Sequence, residues 1–101
     1  RYRDRWHILE NIVYFELLRR GYDVAIGKID NKEIDFIANK LNEKIYFQVT
    51  ESMSNEETRE RELNPLRKVE DNYEKIVLSL DEEEEVYEGI KSLNLINWLL
   101  K

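Results

Sequence analysis

The run Ile45-Tyr46-Phe47-Gln48-Val49-Thr50 constrains the fold of this chain more than any other segment. It is apolar at nearly every position, where a half-exposed strand would alternate. A continuous run of that kind predicts a central strand covered on both faces, with other elements packed above and below it.

The flanking patterns supply those elements. Between Asp4 and Arg20, Trp6, Leu9, Val13 and Leu17 recur at spacings of three and four, and Ile8, Ile12 and Phe15 widen the apolar stripe. This predicts a long helix apolar on more than one side and covered accordingly. Arg19-Arg20 suit the negative end of the helix dipole, and Gly21 suits the position just past a helix end. Tyr22 to Ile29 and Glu33 to Asn39 read as strands on either side of an Asp30-Asn31-Lys32 turn, with Ile34, Phe36 and Ala38 expected on one face and Asp35 and Ile37 on the other. Short connections between these strands and the central one favour an antiparallel meander. Ser54-Asn55-Glu56-Glu57 has the form of a capping box, which predicts a polar, exposed helix from Ser54, broken near Pro65. Lys75 to Leu80 reads as a fourth strand, Val86 to Leu95 as a short edge strand and Leu95 to Leu100 as a terminal helix. The expected class is therefore α/β (α+β), in the order αβββαβ, as a single domain over residues 1–101 with a central mixed sheet flanked by helices. Trp6, Tyr14, Phe15, Tyr46, Phe47 and Trp98 are its expected aromatic core.

Composition removes several functions. With no cysteine and one histidine (His7), disulfides, Cys-based zinc sites and multi-His metal sites are excluded within the chain. The three glycines (Gly21, Gly27 and Gly89) are scattered, so no Gly-rich phosphate loop exists and this segment is not itself a nucleotide-hydrolysing core. A net charge of −6 disfavours general nucleic-acid binding, and Asp81 with Glu82 to Glu85 reads as a solvated acidic loop. No run approaches the roughly 20 apolar residues of a membrane span, so a cytoplasmic setting is expected. The chain begins at arginine inside a helical pattern, which suggests a piece of a longer protein.

The residues that could carry chemistry are Glu10 on the first helix, Asp35 on the second strand, and Gln48 and Thr50 on the third. A helix acid, a strand Asp and a strand of the form acid-x-Lys are the layout of the PD-(D/E)XK nuclease core, which this order of elements resembles. More closely, the chain resembles the C-terminal nuclease-like domain, of unassigned function, found in a family of prokaryotic AAA-type ATPases. The matching text is His7-Ile8-Leu9-Glu10-Asn11-Ile12-Val13, Glu16-Leu17, Arg20-Gly21-Tyr22, Lys32-Glu33-Ile34-Asp35-Phe36-Ile37-Ala38, Phe47-Gln48-Val49-Thr50 and Asn94-Leu95-Ile96.

The resemblance implies a restriction-endonuclease-like fold and a vestigial site at Glu10, Asp35, Gln48 and Thr50. In an intact member, magnesium is held by acids at the positions of Asp35 and Gln48, and a lysine at the Thr50 position orients or activates the attacking water. Magnesium needs carboxylates, and it acts by lowering the pKa of bound water and stabilising charge on phosphate. Gln48 offers a neutral amide and Thr50 no positive charge, which leaves Asp35 and Glu10 as the candidate metal ligands.

Three functions follow. One is a catalytically degenerate accessory domain with a nucleic-acid-associated or assembly role. A second is an active magnesium-dependent nuclease whose lysine has migrated to Lys28, Lys32 or Lys44. The third is a pure interaction module. The expected partners are the ATPase module or a second copy of the chain, and ATP chemistry would belong to the missing N-terminal part. Opposed to all of these stand structural readings: Glu10 hydrogen-bonded to His7 or the backbone, Asp35 in a turn or ion pair, and Gln48 satisfying buried polar groups.

Overall fold

The computed structural model describes residues 2–101, with side chains from His7 onward. Helix α1 (Tyr2–Arg19) leads into strands β1 (Asp23–Ile29), β2 (Lys32–Lys40) and β3 (Glu43–Val49). Helix α2 (Glu56–Arg67), strands β4 (Glu74–Ser79), β5 (Glu85–Tyr87) and β6 (Ile90–Asn94), and helix α3 (Leu95–Leu99) complete the chain. This is an α+β fold in which one six-stranded mixed sheet, in the order β1-β2-β3-β4-β6-β5, is flanked by helices. The first three strands form the expected antiparallel meander, and β3 pairs with β4 in parallel across the α2 crossover.

The central run behaves as its composition requires. Phe47 and Val49 face one core with Leu9, Val13 and Leu17 of α1 and Trp98 of α3. Tyr46 faces a second core with Leu63 and Leu66 of α2. The end of α1 is set by Gly21 at φ 92: the Gly21 and Tyr22 amides donate to the Leu18 and Leu17 carbonyls at 2.9 and 3.0 Å. That is a Schellman closure, in which a left-handed residue suits glycine. The Arg20 guanidinium donates to the Trp98 carbonyl at 2.7 Å and lies 4.3 Å from the Trp98 ring centroid, joining α1 to α3.

Several expectations are corrected. Ile8, Ile12, Tyr14 and Phe15 are exposed, because the Leu9-Val13-Leu17 stripe is the face of α1 buried against the sheet, with Tyr14 at its margin beside the Phe36 ring. The side chain of Trp6 lies outside those described. The α2 cap is Asn55 rather than Ser54, and its side chain accepts from the Thr58 amide at 3.0 Å. Pro65 does not break α2, which continues to Arg67. The segment after the acidic run is a hairpin, not a single edge strand. Glu88 and Gly89, both at positive φ, form its turn, β5 takes the sheet edge, and β6 lies inside beside β4.

The largest departure is in β2. Ala25 pairs with Ile37 but Gly27 pairs with Ile34, so one residue of β1 opposes two of β2 and the strand bulges at Asp35 and Phe36. A bulge reverses the alternation of faces. Ile34 therefore packs in the α2-side core with Ile37, while Phe36 and Ala38 pack in the α1-side core, against the expected Ile34-Phe36-Ala38 face. Both isoleucines cross above Gly27: a methyl built there would meet Ile37 at 2.5 Å.

Candidate functional site

The bulge frees backbone groups that the regular ladder would have paired, and the side chains of Asp35 and Gln48 take up that pairing. The backbone ladder between β2 and β3 runs as far as the pair of Phe36 with Phe47. Beyond it, the Asp35 amide donates to Gln48 Oε1 at 2.8 Å, and the Val49 amide donates to Asp35 Oδ2 at 2.8 Å. Gln48 Nε2 turns to α2 and donates to the Glu62 carbonyl at 3.0 Å. Gln48 is buried, and both ends of its amide are occupied. It ties the bulge to the helix above it.

Four acids surround this joint. Glu10 of α1, Glu33 and Asp35 of β2, and Glu62 of α2 act on one another's charges. Burial pushes Asp35 up to about 7, against the opposing Val49 hydrogen bond, and the charges of Glu10 and Glu33 add to the rise. Burial pushes Glu62 up to about 8, helped by Asp35 and opposed by Arg61. Glu10 is raised by its burial and drawn back by His7, whose Nδ1 lies 3.6 Å from Glu10 Oε1. Desolvation without a cation favours the neutral carboxyl.

Glu62 is the residue that sequence reasoning missed. It sits in the stretch read as polar and exposed, yet it is 4% accessible. Its position four residues before buried Leu66 was the available signal, since that spacing puts both on one helix face.

Thr50 is bonded to β4 rather than to this cluster. Its amide extends the β3–β4 ladder to the Leu78 carbonyl at 3.0 Å. Its side chain borders a cleft of about 470 Å³ with Glu51, Asn55, Thr58 and Arg61. Of the candidate migrant lysines, Lys44 lies 5.4 Å from the Tyr73 ring centroid, and Lys28 stands opposite Glu33 in the β1–β2 register. Lys32 borders a small pocket with Glu33 and Arg61.

Magnesium does not fit the donors as they stand. Gln48 offers only a neutral oxygen, already bonded to the Asp35 amide, and one oxygen of Asp35 is bonded to the Val49 amide. Among the described residues, no three His, Cys, Asp or Glu side chains are placed to hold a metal ion. What the arrangement can do is hold protons near neutral pH and fix α2 to the sheet.

Other residues shared with the resemblance also have structural work. Glu16 binds Arg19 and Arg20, each at 2.7 Å, and these hydrogen bonds hold its carboxyl down to about 2. Asn94 caps α3 by accepting from the Asn97 amide at 2.9 Å, while its side-chain nitrogen donates to the Asp81 carbonyl.

No protein-family model matches the chain. It is similar to an uncharacterized protein of Haemophilus influenzae, with 46% identity over 95 residues. The match covers 92% of this chain and 23% of that protein, so the chain spans about a quarter of the relative's length. Among the described residues, no helix is long and apolar enough to cross a membrane.

Proposed function

We propose that this chain is a nuclease-like module in which metal-dependent cleavage has been lost, and that it serves as an accessory, assembly-type domain of a AAA-type ATPase in the cytoplasm. The observation that carries this reading is Gln48. At the position where an active relative of the resembled fold would present a metal-binding acid, this chain presents an amide bonded at both ends to main-chain groups. An amide held in this way is a neutral group, and it brings no charge to a metal ion. The element order, and a Glu10 charge near enough to act on Asp35, support the ancestry. The greater length of the Haemophilus influenzae relative supports a setting beside further domains.

A second reading, an active magnesium nuclease, draws on Glu62, an acid that α2 brings to Asp35. Calorimetric titration with magnesium and manganese, run beside incubation with supercoiled plasmid, separates the two. The degenerate module gives no saturable heat and leaves the plasmid intact. Stoichiometric binding abolished by Asp35→Asn, together with nicked plasmid, would establish the nuclease instead.

A further inference from the structure

The acidic run Asp81 to Glu85 is exposed at Glu82 to Glu85, as its composition suggests, and it is also anchored. Asp81 accepts from the Ser52 hydroxyl and the Met53 amide, each at 2.7 Å. Its carbonyl accepts from Asn94 Nδ2 at 2.8 Å, and Glu84 Oε2 accepts from the Asn94 amide at 2.9 Å. The loop is thereby fixed at both ends, and Glu82, Glu83 and Glu85 are held along one side of a cleft of about 410 Å³.

The floor of that cleft includes Met53, Tyr87 and Ser92. Ser92, 4% accessible, lies in that lining. Arg59 also borders the cleft, but it donates to the Met53 carbonyl at 3.1 Å and offsets one negative charge among several. Beside the cleft runs β5, the edge strand of the sheet, where Val86 is 67% exposed.

We infer that this cleft and the β5 edge form a docking site for an extended, lysine- or arginine-bearing segment of a partner protein. Charge complementarity selects the occupant: Asp81, Glu82, Glu83 and Glu85 line the groove with one arginine, Arg59, so its net charge is negative, and a cationic side chain entering it can donate to Ser92 Oγ as well. The open edge of β5 offers main-chain pairing to an extended segment, whose alternate side chains then point toward the cleft and across Val86. This site shares no residue with the Asp35–Gln48 joint and stands whether or not the nuclease-like reading holds.

The test uses the whole chain, labelled with nitrogen-15, and the synthetic peptide acetyl-Val-Lys-Val-Lys-Val-Lys-amide. The expected result is saturable shifts of the Val86, Tyr87 and Ser92 amides. Binding should weaken about tenfold in E82K/E83K and fade as salt rises from about 0.1 M to about 1 M, where the screening length falls from about 10 Å to about 3 Å. Both substituted positions are exposed, and neither takes part in the bonds that fix the loop. Unfolding midpoints of the variant and the parent show that its fold is kept. The inference is overturned if the peptide gives no saturable shifts, if the shifts fall on Glu10 and Asp35 instead, or if E82K/E83K binds as tightly as the parent. It is also overturned if calcium saturates the same amides and the peptide does not.

Discussion

At the scale of single residues, Gln48 matters for what it satisfies. Replacing its amide by a carboxylate in Gln48→Glu would keep an acceptor for the Asp35 amide but remove the donor to the Glu62 carbonyl. It would also add a fifth acid to four. We expect urea unfolding of Gln48→Glu at neutral pH to show a loss of about 2–3 kcal/mol, the usual cost of an unsatisfied buried group near like charges. A variant as stable as the parent would mean that the amide is not needed. Leu41 offers a gain by the opposite logic. It is fully exposed and held at φ 47, a conformation that costs a non-glycine residue about 1–2 kcal/mol. Leu41→Asn gives up no packing, and thermal unfolding should show it more stable by about 0.5–1 kcal/mol.

At the scale of elements, α1 and β2 show where the sequence was readable and where it was not. The period of Leu9, Val13 and Leu17 located the helix and its inner face, because burial of a stripe leaves that spacing. The apolar residues outside the stripe misled, since an exposed Phe15 looks the same in a sequence as a buried one. Accordingly, Val13→Ala should cost about 1–3 kcal/mol while Phe15→Ser stays within about 0.5 kcal/mol, both read by chemical denaturation. The bulge in β2 could not be read, because strand alternation carries no mark of an inserted residue until the partner strand is known. Its one sequence trace is Gly27, whose missing side chain makes room for Ile34 and Ile37. Gly27→Val should cost about 1–3 kcal/mol through overpacking against Ile37. The candidate site was legible only in part, for the same reason. Glu10 and Asp35 were found from pattern, whereas Glu62 and the bracketing role of Gln48 depend on the bulge and on where α2 crosses it.

At the scale of the whole molecule, the acid cluster should set how stability depends on pH. In the unfolded chain Asp35 and Glu62 titrate near ordinary carboxyl values, whereas in the fold they are raised to about 7 and about 8. Between those limits the folded state binds more protons than the unfolded one, so stability falls as pH rises. The contribution is fully present below the unfolded values and is lost as pH passes through about 7 to 8. The unfolding midpoint should therefore drop between about pH 5 and pH 9, and Glu62→Gln, which cannot ionise, should flatten that slope and melt higher than the parent at the alkaline end. A parent whose midpoint rises over this interval would mean that cations compensate the cluster.

The account stands or falls on whether Gln48 holds the bulge, and hydrogen exchange at one backbone amide reads this directly. The Asp35 amide has the Gln48 side chain as its hydrogen-bond acceptor. In Gln48→Ala, under conditions where the fold persists, that amide should lose its protection while the Phe47 and Val77 amides, deeper in the sheet, keep theirs. Unchanged protection at Asp35 would contradict the account and return Gln48 to the list of side chains free to bind a ligand.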